Sequence, residues 1–154
     1  MSGLLVSVPS GARILLDTSA LLAHLGASEQ VGRVATELVE SCLRTGRNDG
    51  VISTITVGEL LVRPLRASPQ HADTVLAFLW SLPDLLIRSA DFLVAAEGAR
   101  IRAAARVGVP DSLIIATGVL TRATLMATND RVLASASRAS VTGMGVLLLS
   151  ELVS

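Results

Sequence analysis

The sequence predicts an α/β fold: a three-layer sandwich in which helices cover both faces of a central parallel sheet of about five strands. Three observations carry this expectation. Short continuous apolar runs, such as Ile14-Leu15-Leu16, read as strands buried on both faces, as parallel sheets require. These runs alternate with longer segments of helical spacing. An acid with hydroxyl residues follows the first run directly, at Asp17-Thr18-Ser19, which puts Asp17 at a strand's carboxyl end, the edge where open α/β sheets bind ligands.

Taken in order, the first strand leads into a short helix over residues 20–25, after which Gly26 and Ser28 loosen the chain. Residues 31–43 carry apolar side chains at Val31, Val34, Ala35, Leu38, Val39 and Cys42, a helical spacing that Gly46 ends. Val51-Ile52-Ser53 reads as the second strand. A third helix begins at Thr56 and runs to about Leu65, limited by Pro64. Ser68-Pro69 opens a helix over residues 70–82, and Leu85-Leu86-Ile87 reads as the third strand. Ser89 or Asp91 caps a helix over residues 92–107 that Gly108 terminates. Pro110 suits the first position of the next helix, which runs to about Thr121. Residues 124–128 form a fourth strand, 131–136 a short helix and 146–149 a fifth strand. There are no repeats, linkers or low-complexity tracts.

The composition narrows the function. A length of 154 residues suits one domain, residues 1–154, and 51% hydrophobic content with 17% charge marks a chain that buries a core. No apolar run approaches the roughly 18 residues of a membrane span, and the apolar N-terminus lacks the basic start of a signal segment, so a cytoplasmic protein is expected. Cys42 is the only cysteine, which agrees with a reducing compartment. All 13 basic residues are Arg. The absence of Lys removes P-loop ATPases and Schiff-base chemistry. Zero net charge argues against a general nucleic-acid coat and leaves room for a local Arg-lined path; for Arg102 and Arg106, four apart, a solvated face is the default reading and phosphate contact the alternative.

Four acids, Asp17, Glu59, Asp111 and Asp130, are the candidate site. Each has a plain structural role open to it. Asp17 or Ser19 suits a helix cap, and Thr56-x-x-Glu59 matches a capping box. Asp111 stands in a first turn that favours an anion, and Asp130 suits an N-cap. Jointly they point elsewhere. In a right-handed parallel sheet, strand ends and helix starts share one edge, so all four acids gather there. Carboxylates so placed repel unless a cation intervenes, and hard divalent cations take oxygen ligands. His24, His71 and Cys42 show no zinc-ligand spacing. The expectation is a four-carboxylate metal site in a small nuclease, with Thr18, Ser19 and Thr128 orienting water or phosphate or satisfying turn backbone. Trp80, on an apolar helical face, is expected in core or interface packing.

With these residues in place, the chain resembles the PIN-domain ribonucleases, most of all the VapC-type toxins of bacterial toxin–antitoxin pairs. Ile14-Leu15-Leu16-Asp17-Thr18-Ser19-Ala20-Leu21-Leu22 resembles the first family motif and Ser53-Thr54-Ile55-Thr56-Val57-Gly58-Glu59-Leu60-Leu61 the second. Val109-Pro110-Asp111-Ser112-Leu113-Ile114-Ile115-Ala116 resembles the third and Leu125-Met126-Ala127-Thr128-Asn129-Asp130 the fourth, which then departs from the family at Arg131-Val132-Leu133, without the usual aromatic or His. The resemblance implies a PIN-like fold, a Mg²⁺- or Mn²⁺-dependent endoribonuclease, an RNA substrate, a cognate antitoxin and a homodimer. Asp17 and Asp111 would be the direct ligands, with Glu59 and Asp130 completing the site or acting through water. Two other readings stay open: a catalytically inert PIN-like module acting by binding, and a phosphatase or phosphoacceptor domain using Asp17, which the lack of Lys disfavours.

Overall fold

A computed structural model describes residues 2–26, 29–140 and 142–154. Five parallel strands, β1 (Arg13–Leu16), β2 (Asp49–Ser53), β3 (Leu86–Arg88), β4 (Leu125–Thr128) and β5 (Gly145–Leu148), form one sheet in the order β3-β2-β1-β4-β5. Register pairs Leu15 with Val51 on one side and with Met126 on the other. Side chains alternate between the two faces, and each face has its own core. Ile14, Leu16, Ile52 and Ala127 pack against the first group of helices: α1 (Gly3–Ser7), α2 (Thr18–Gly26), α3 (Gln30–Glu37), α4 (Thr54–Ala67) and α5 (Pro69–Ser81). Leu15, Val51 and Met126 pack against α6 (Phe92–Ala104), α7 (Val109–Leu120) and α8 (Arg131–Ala139). This is the expected sandwich.

The strand order places the site. The chain leaves β1 towards β2 and β3, then returns to the other side of β1 for β4 and β5. The direction of winding reverses between β1 and β4, and at such a switch point the connections diverge and leave a crevice at the strands' carboxyl ends. The connecting helices run back along the sheet, so α4, α7 and α8 begin at that same edge.

Several elements differ from expectation, each for a local reason. No element was expected before β1, yet Ser2 caps α1 by accepting from Leu5 N, and burial of Leu4 and Val8 anchors it. The 31–43 segment is α-helical only through Glu37 and continues as a π-helical turn, Leu38–Leu43; helical spacing alone does not separate the two, and Gly46, at φ 73°, ends it as expected. Pro64 does not limit α4, which runs to Ala67 because Ser68 N donates to Pro64 O at 3.0 Å. The cap of α4 is Ser53, whose Oγ accepts from Ile55 N, so Thr56 lies inside the first turn and the Thr56–Glu59 capping box does not form. Asp91 caps α6, which stops at Ala104 rather than 107, since Ala105 is already extended. Arg102 Nε donates instead to Val107 O at 3.2 Å, so Arg102 and Arg106 do not share a helix. The expected loosening at Gly26 and Ser28 falls partly on Ser28, outside the described residues.

Gly118 is closely packed where α7 crosses β1. A Cβ on Gly118 would lie 2.5 Å from Met144 Sδ and 2.7 Å from Leu15 Cδ2, so only glycine lets the helix sit this low on the sheet. Asp111, two turns earlier on α7, takes its height above the sheet edge from this contact.

Candidate active site

Asp17 follows β1 directly and is buried, 4% exposed. Its backbone N–H donates to Ala127 O at 3.0 Å, which continues the β1–β4 ladder one residue past the strand and fixes the carboxylate beside the β4 end. Oδ2 accepts from Ser19 Oγ at 2.5 Å, Thr128 Oγ1 at 2.8 Å and Ser19 N at 3.3 Å. Each hydroxyl has one proton, and both protons point at Asp17. The two hydroxyl oxygens are then free to accept from the loop after β4: Asn129 N donates to Ser19 Oγ at 2.8 Å and Asp130 N to Thr128 Oγ1 at 3.0 Å. Ser19 and Thr128 thus brace Asp17 and hold the Asp130 loop against it. Oδ1 of Asp17 accepts no hydrogen bond among the described residues, and no sealed side-chain oxygen among them lacks a partner, so Oδ1 is within reach of solvent.

Glu59, on the second turn of α4, is exposed. Thr18 Oγ1 donates to its Oε1 at 2.8 Å and lies 3.1 Å from Thr56 Oγ1. The hydroxyl expected to cap α4 therefore backs Thr18, which aims Glu59 towards β1. A buried Thr one turn before an acid was the signal available in the sequence, and the capping pattern hid it.

Asp130 is the N-cap of α8: Oδ1 accepts from Val132 N at 2.8 Å and Leu133 N at 3.2 Å. The plain role therefore holds for one oxygen of Asp130, and Oδ2 is left over. Asp111 caps nothing; the N-cap of α7 is Gly108, which has no side chain to offer. The carboxyl of Asp111 is raised above the ordinary Asp value, first by burial and then by the negative charges of Asp17, Asp130 and Glu59. All four acids thus share one field. None of them takes part in an ion pair among the described residues, where Arg13, Arg44, Arg88, Arg100 and Arg131 pair with other acids.

A model of the PIN domain matches residues 14–139. The chain belongs to the PIN-domain family. No curated protein sequence matches it. Among solved structures, it is similar to FitAcB from Neisseria gonorrhoeae, with 23% identity and a TM-score of 0.69 over 90% of this chain and 99% of that one. A toxin–antitoxin complex from Klebsiella pneumoniae matches at 21% identity and a TM-score of 0.64, covering 90% of this chain and 98% of that one. The sarcin–ricin-loop-cleaving toxin VapC20 from Mycobacterium tuberculosis matches at 16% identity and a TM-score of 0.64, covering 80% and 94%. At these identities the likeness is one of fold, and it agrees with the parallel sheet and its flanking helices.

PIN-domain nucleases generally use divalent metal ions, and the donors here suit one in kind: carboxylate and hydroxyl oxygens with uncompensated negative charge, as the raised Asp111 carboxyl records. The side chains are not drawn together as a finished cage; among the described residues no group of three His, Cys, Asp or Glu side chains stands ready to hold an ion. The histidines belong elsewhere. His24 bonds Thr36 Oγ1 at 3.0 Å and packs on Phe78, and burial lowers its pKa. His71 sits in the first turn of α5 against Ser68. Trp80 is 77% exposed and lines an apolar cavity of about 290 Å³ with Val57, Leu76 and Leu79, so it is not a core residue. No single helix among the described residues is long and apolar enough to cross a membrane.

Proposed function

We propose that this PIN-domain chain is a metal-dependent endoribonuclease, the toxin of a toxin–antitoxin pair, acting in the cytoplasm as a homodimer. The observation that carries this reading is the common field of four carboxylates at the switch point, felt at Asp111 and compensated by no ion pair among the described residues. Asp17 and Asp111 would hold Mg²⁺ or Mn²⁺ directly, as the family resemblance implies, and each of the four acids keeps an oxygen that takes no hydrogen bond among the described residues. Glu59 and Asp130 would complete the site or act through water. When bound, the cation supplies charge that polarises the phosphodiester and acidifies water. The chain's own part is orientation. Ser19 and Thr128 keep Asp17 from turning away from the crevice, Thr18 does the same for Glu59, and the start of α8 keeps Asp130 in place.

The structural neighbours include toxin–antitoxin complexes and a toxin described as cleaving the sarcin–ricin loop, which favours RNA as substrate and a small protein as inhibitor. For the inhibitor, the apolar cavity at Trp80, with Val62 and Leu65 also exposed, adjoins the helix that carries Glu59. An antitoxin segment seated there would bring an Arg or Lys into the acidic crevice, in competition with the cation. The test is RNA cleavage by the isolated protein across a titration of Mg²⁺ or Mn²⁺. Cleavage that rises with cation and stops in excess chelator is expected; full activity in chelator refutes the metal reading. A protein that binds RNA and never cuts it would be the inert module. Antitoxin affinity that ignores both saturating Mg²⁺ and Glu59→Gln refutes the shared-crevice part.

A further inference from the structure

A second hollow, of about 510 Å³, lies between the end of α6 and the outer face of α8. Arg106, Arg131 and the exposed Val132 line it, together with the small side chains Ser135, Ala136 and Ala139. It adjoins the acids along the chain on both sides: Arg131 is the residue after Asp130, and Arg106 lies on the short connection that leads into α7 and Asp111. That connection is bridged by Arg102, which donates to Val107 O at 3.2 Å. Arg106 takes part in no ion pair among the described residues. Arg131 has only a loose one, 3.9 Å from Glu151, with both side chains more than half exposed, which solvent screens.

We propose that this hollow is the track for single-stranded RNA next to the cleaved bond, with Arg106 and Arg131 on the phosphates and the small-residue floor admitting the sugar and base between them. The proposal rests on the nuclease reading and adds to it the residues that hold the strand. A phosphodiester must come to four carboxylates that repel it, so cations beside the acids are needed to keep the chain of phosphates in place. Guanidinium groups suit this task because they contact phosphate oxygens in pairs. The floor suits a single strand, since Ser135, Ala136 and Ala139 leave space beside Val132 for a base to lie against its apolar side chain.

The test measures binding of a labelled, mixed-sequence single-stranded RNA oligonucleotide by anisotropy over a range of salt. The full chain carries Asp111→Asn so that the strand stays intact, and it is compared with and without Arg106→Gln/Arg131→Gln. Two lost phosphate contacts should lower the slope of log affinity against log salt by about 1.4, at roughly 0.7 per contact for a single strand. Arg33→Gln/Arg66→Gln, an equal change of charge away from the hollow, should leave the slope unchanged. Melting curves of all variants check that they fold; the substituted side chains in the hollow are exposed. An unchanged slope, or a loss equal to that of the control pair, overturns the proposal. So does a loss confined to duplex DNA of the same sequence with RNA binding intact. Wild-type cleavage is followed in parallel: cutting that persists with an unchanged slope removes the track alone. Failure to cut in any cation, with the slope lowered, removes the nuclease reading and leaves the track.

Discussion

Asp111→Asn separates a metal site from a set of helix caps, because the two accounts give opposite signs. Asp111 accepts no hydrogen bond among the described residues, so the amide breaks none there. As a first-turn anion on α7 it gains roughly 0.3–1 kcal/mol from the helix dipole. Against this stand burial and the charges of Asp17, Asp130 and Glu59, and the raised carboxyl shows that these prevail: folding disfavours the charged form relative to the unfolded chain. Without metal, the variant should therefore be as stable as wild type or more so, the usual exchange of stability for function. Added Mn²⁺ binds only the folded site and should stabilise wild type by about 2.7 kcal/mol at a hundred times its dissociation constant. For a chain of this size that is a rise in Tm of roughly 5–10 °C. The variant should lose most of this gain. Thermal melts of both proteins, with chelator and with Mn²⁺, make the comparison. A destabilised variant in chelator, together with no Mn²⁺ shift in wild type, refutes the reasoning.

Asp130 can be divided into its two roles. Asp130→Asn keeps a capping oxygen and should change stability by less than about 0.5 kcal/mol while slowing cleavage, whereas Asp130→Ala should also lose about 0.5–2 kcal/mol by chemical denaturation; wild-type cleavage by the Asn variant removes Asp130 from the site. Gly118→Ala should cost about 1–3 kcal/mol by overpacking against Leu15 and Met144, and should slow cleavage by lifting α7 with Asp111; an unchanged melting point would mean that α7 moves freely on β1. In chelator, the stability of wild type relative to Asp111→Asn should depend on pH. The folded carboxyl lies above its unfolded value, so its contribution is fully present below the ordinary Asp range and is lost as pH rises through the folded value. Denaturation midpoints of the pair that run parallel across that range would contradict the shared field.

Most of the fold was legible because buried parallel strands and their helices write different spacings into the chain. Ile14 to Leu16 and the Leu125–Thr128 strand stand out as apolar runs, and the acids behind them mark the sheet's carboxyl edge. Boundaries set by single hydrogen bonds were not legible. Ser53 rather than Thr56 caps α4, Pro64 is absorbed because the helix bonds around it, and α6 stops at Ala104 where Arg102 finds Val107 O. The π-helical turn after Glu37 is a change of hydrogen-bond partner that side-chain spacing does not record. At the candidate site, the meeting of the four acids could be expected from their positions beside strands and helix starts. How each is held could not, since Thr128 reaches Asp17 across 111 positions of sequence. Asp130 shows why cap and site readings compete: one oxygen caps α8 while the residue's charge is felt at Asp111.

The most direct measurement is the rate of single-stranded RNA cleavage by wild type and Asp17→Asn, side by side at saturating Mg²⁺. Ser19 and Thr128 can donate to the amide oxygen as they do to Oδ2, so the variant should keep its fold and lose only the charge at the crevice. The account predicts cation-dependent cleavage by wild type and a loss of about a hundredfold or more in the variant, the scale for removing one preorganised charged group. Equal rates in the two proteins would contradict a nuclease site built around Asp17.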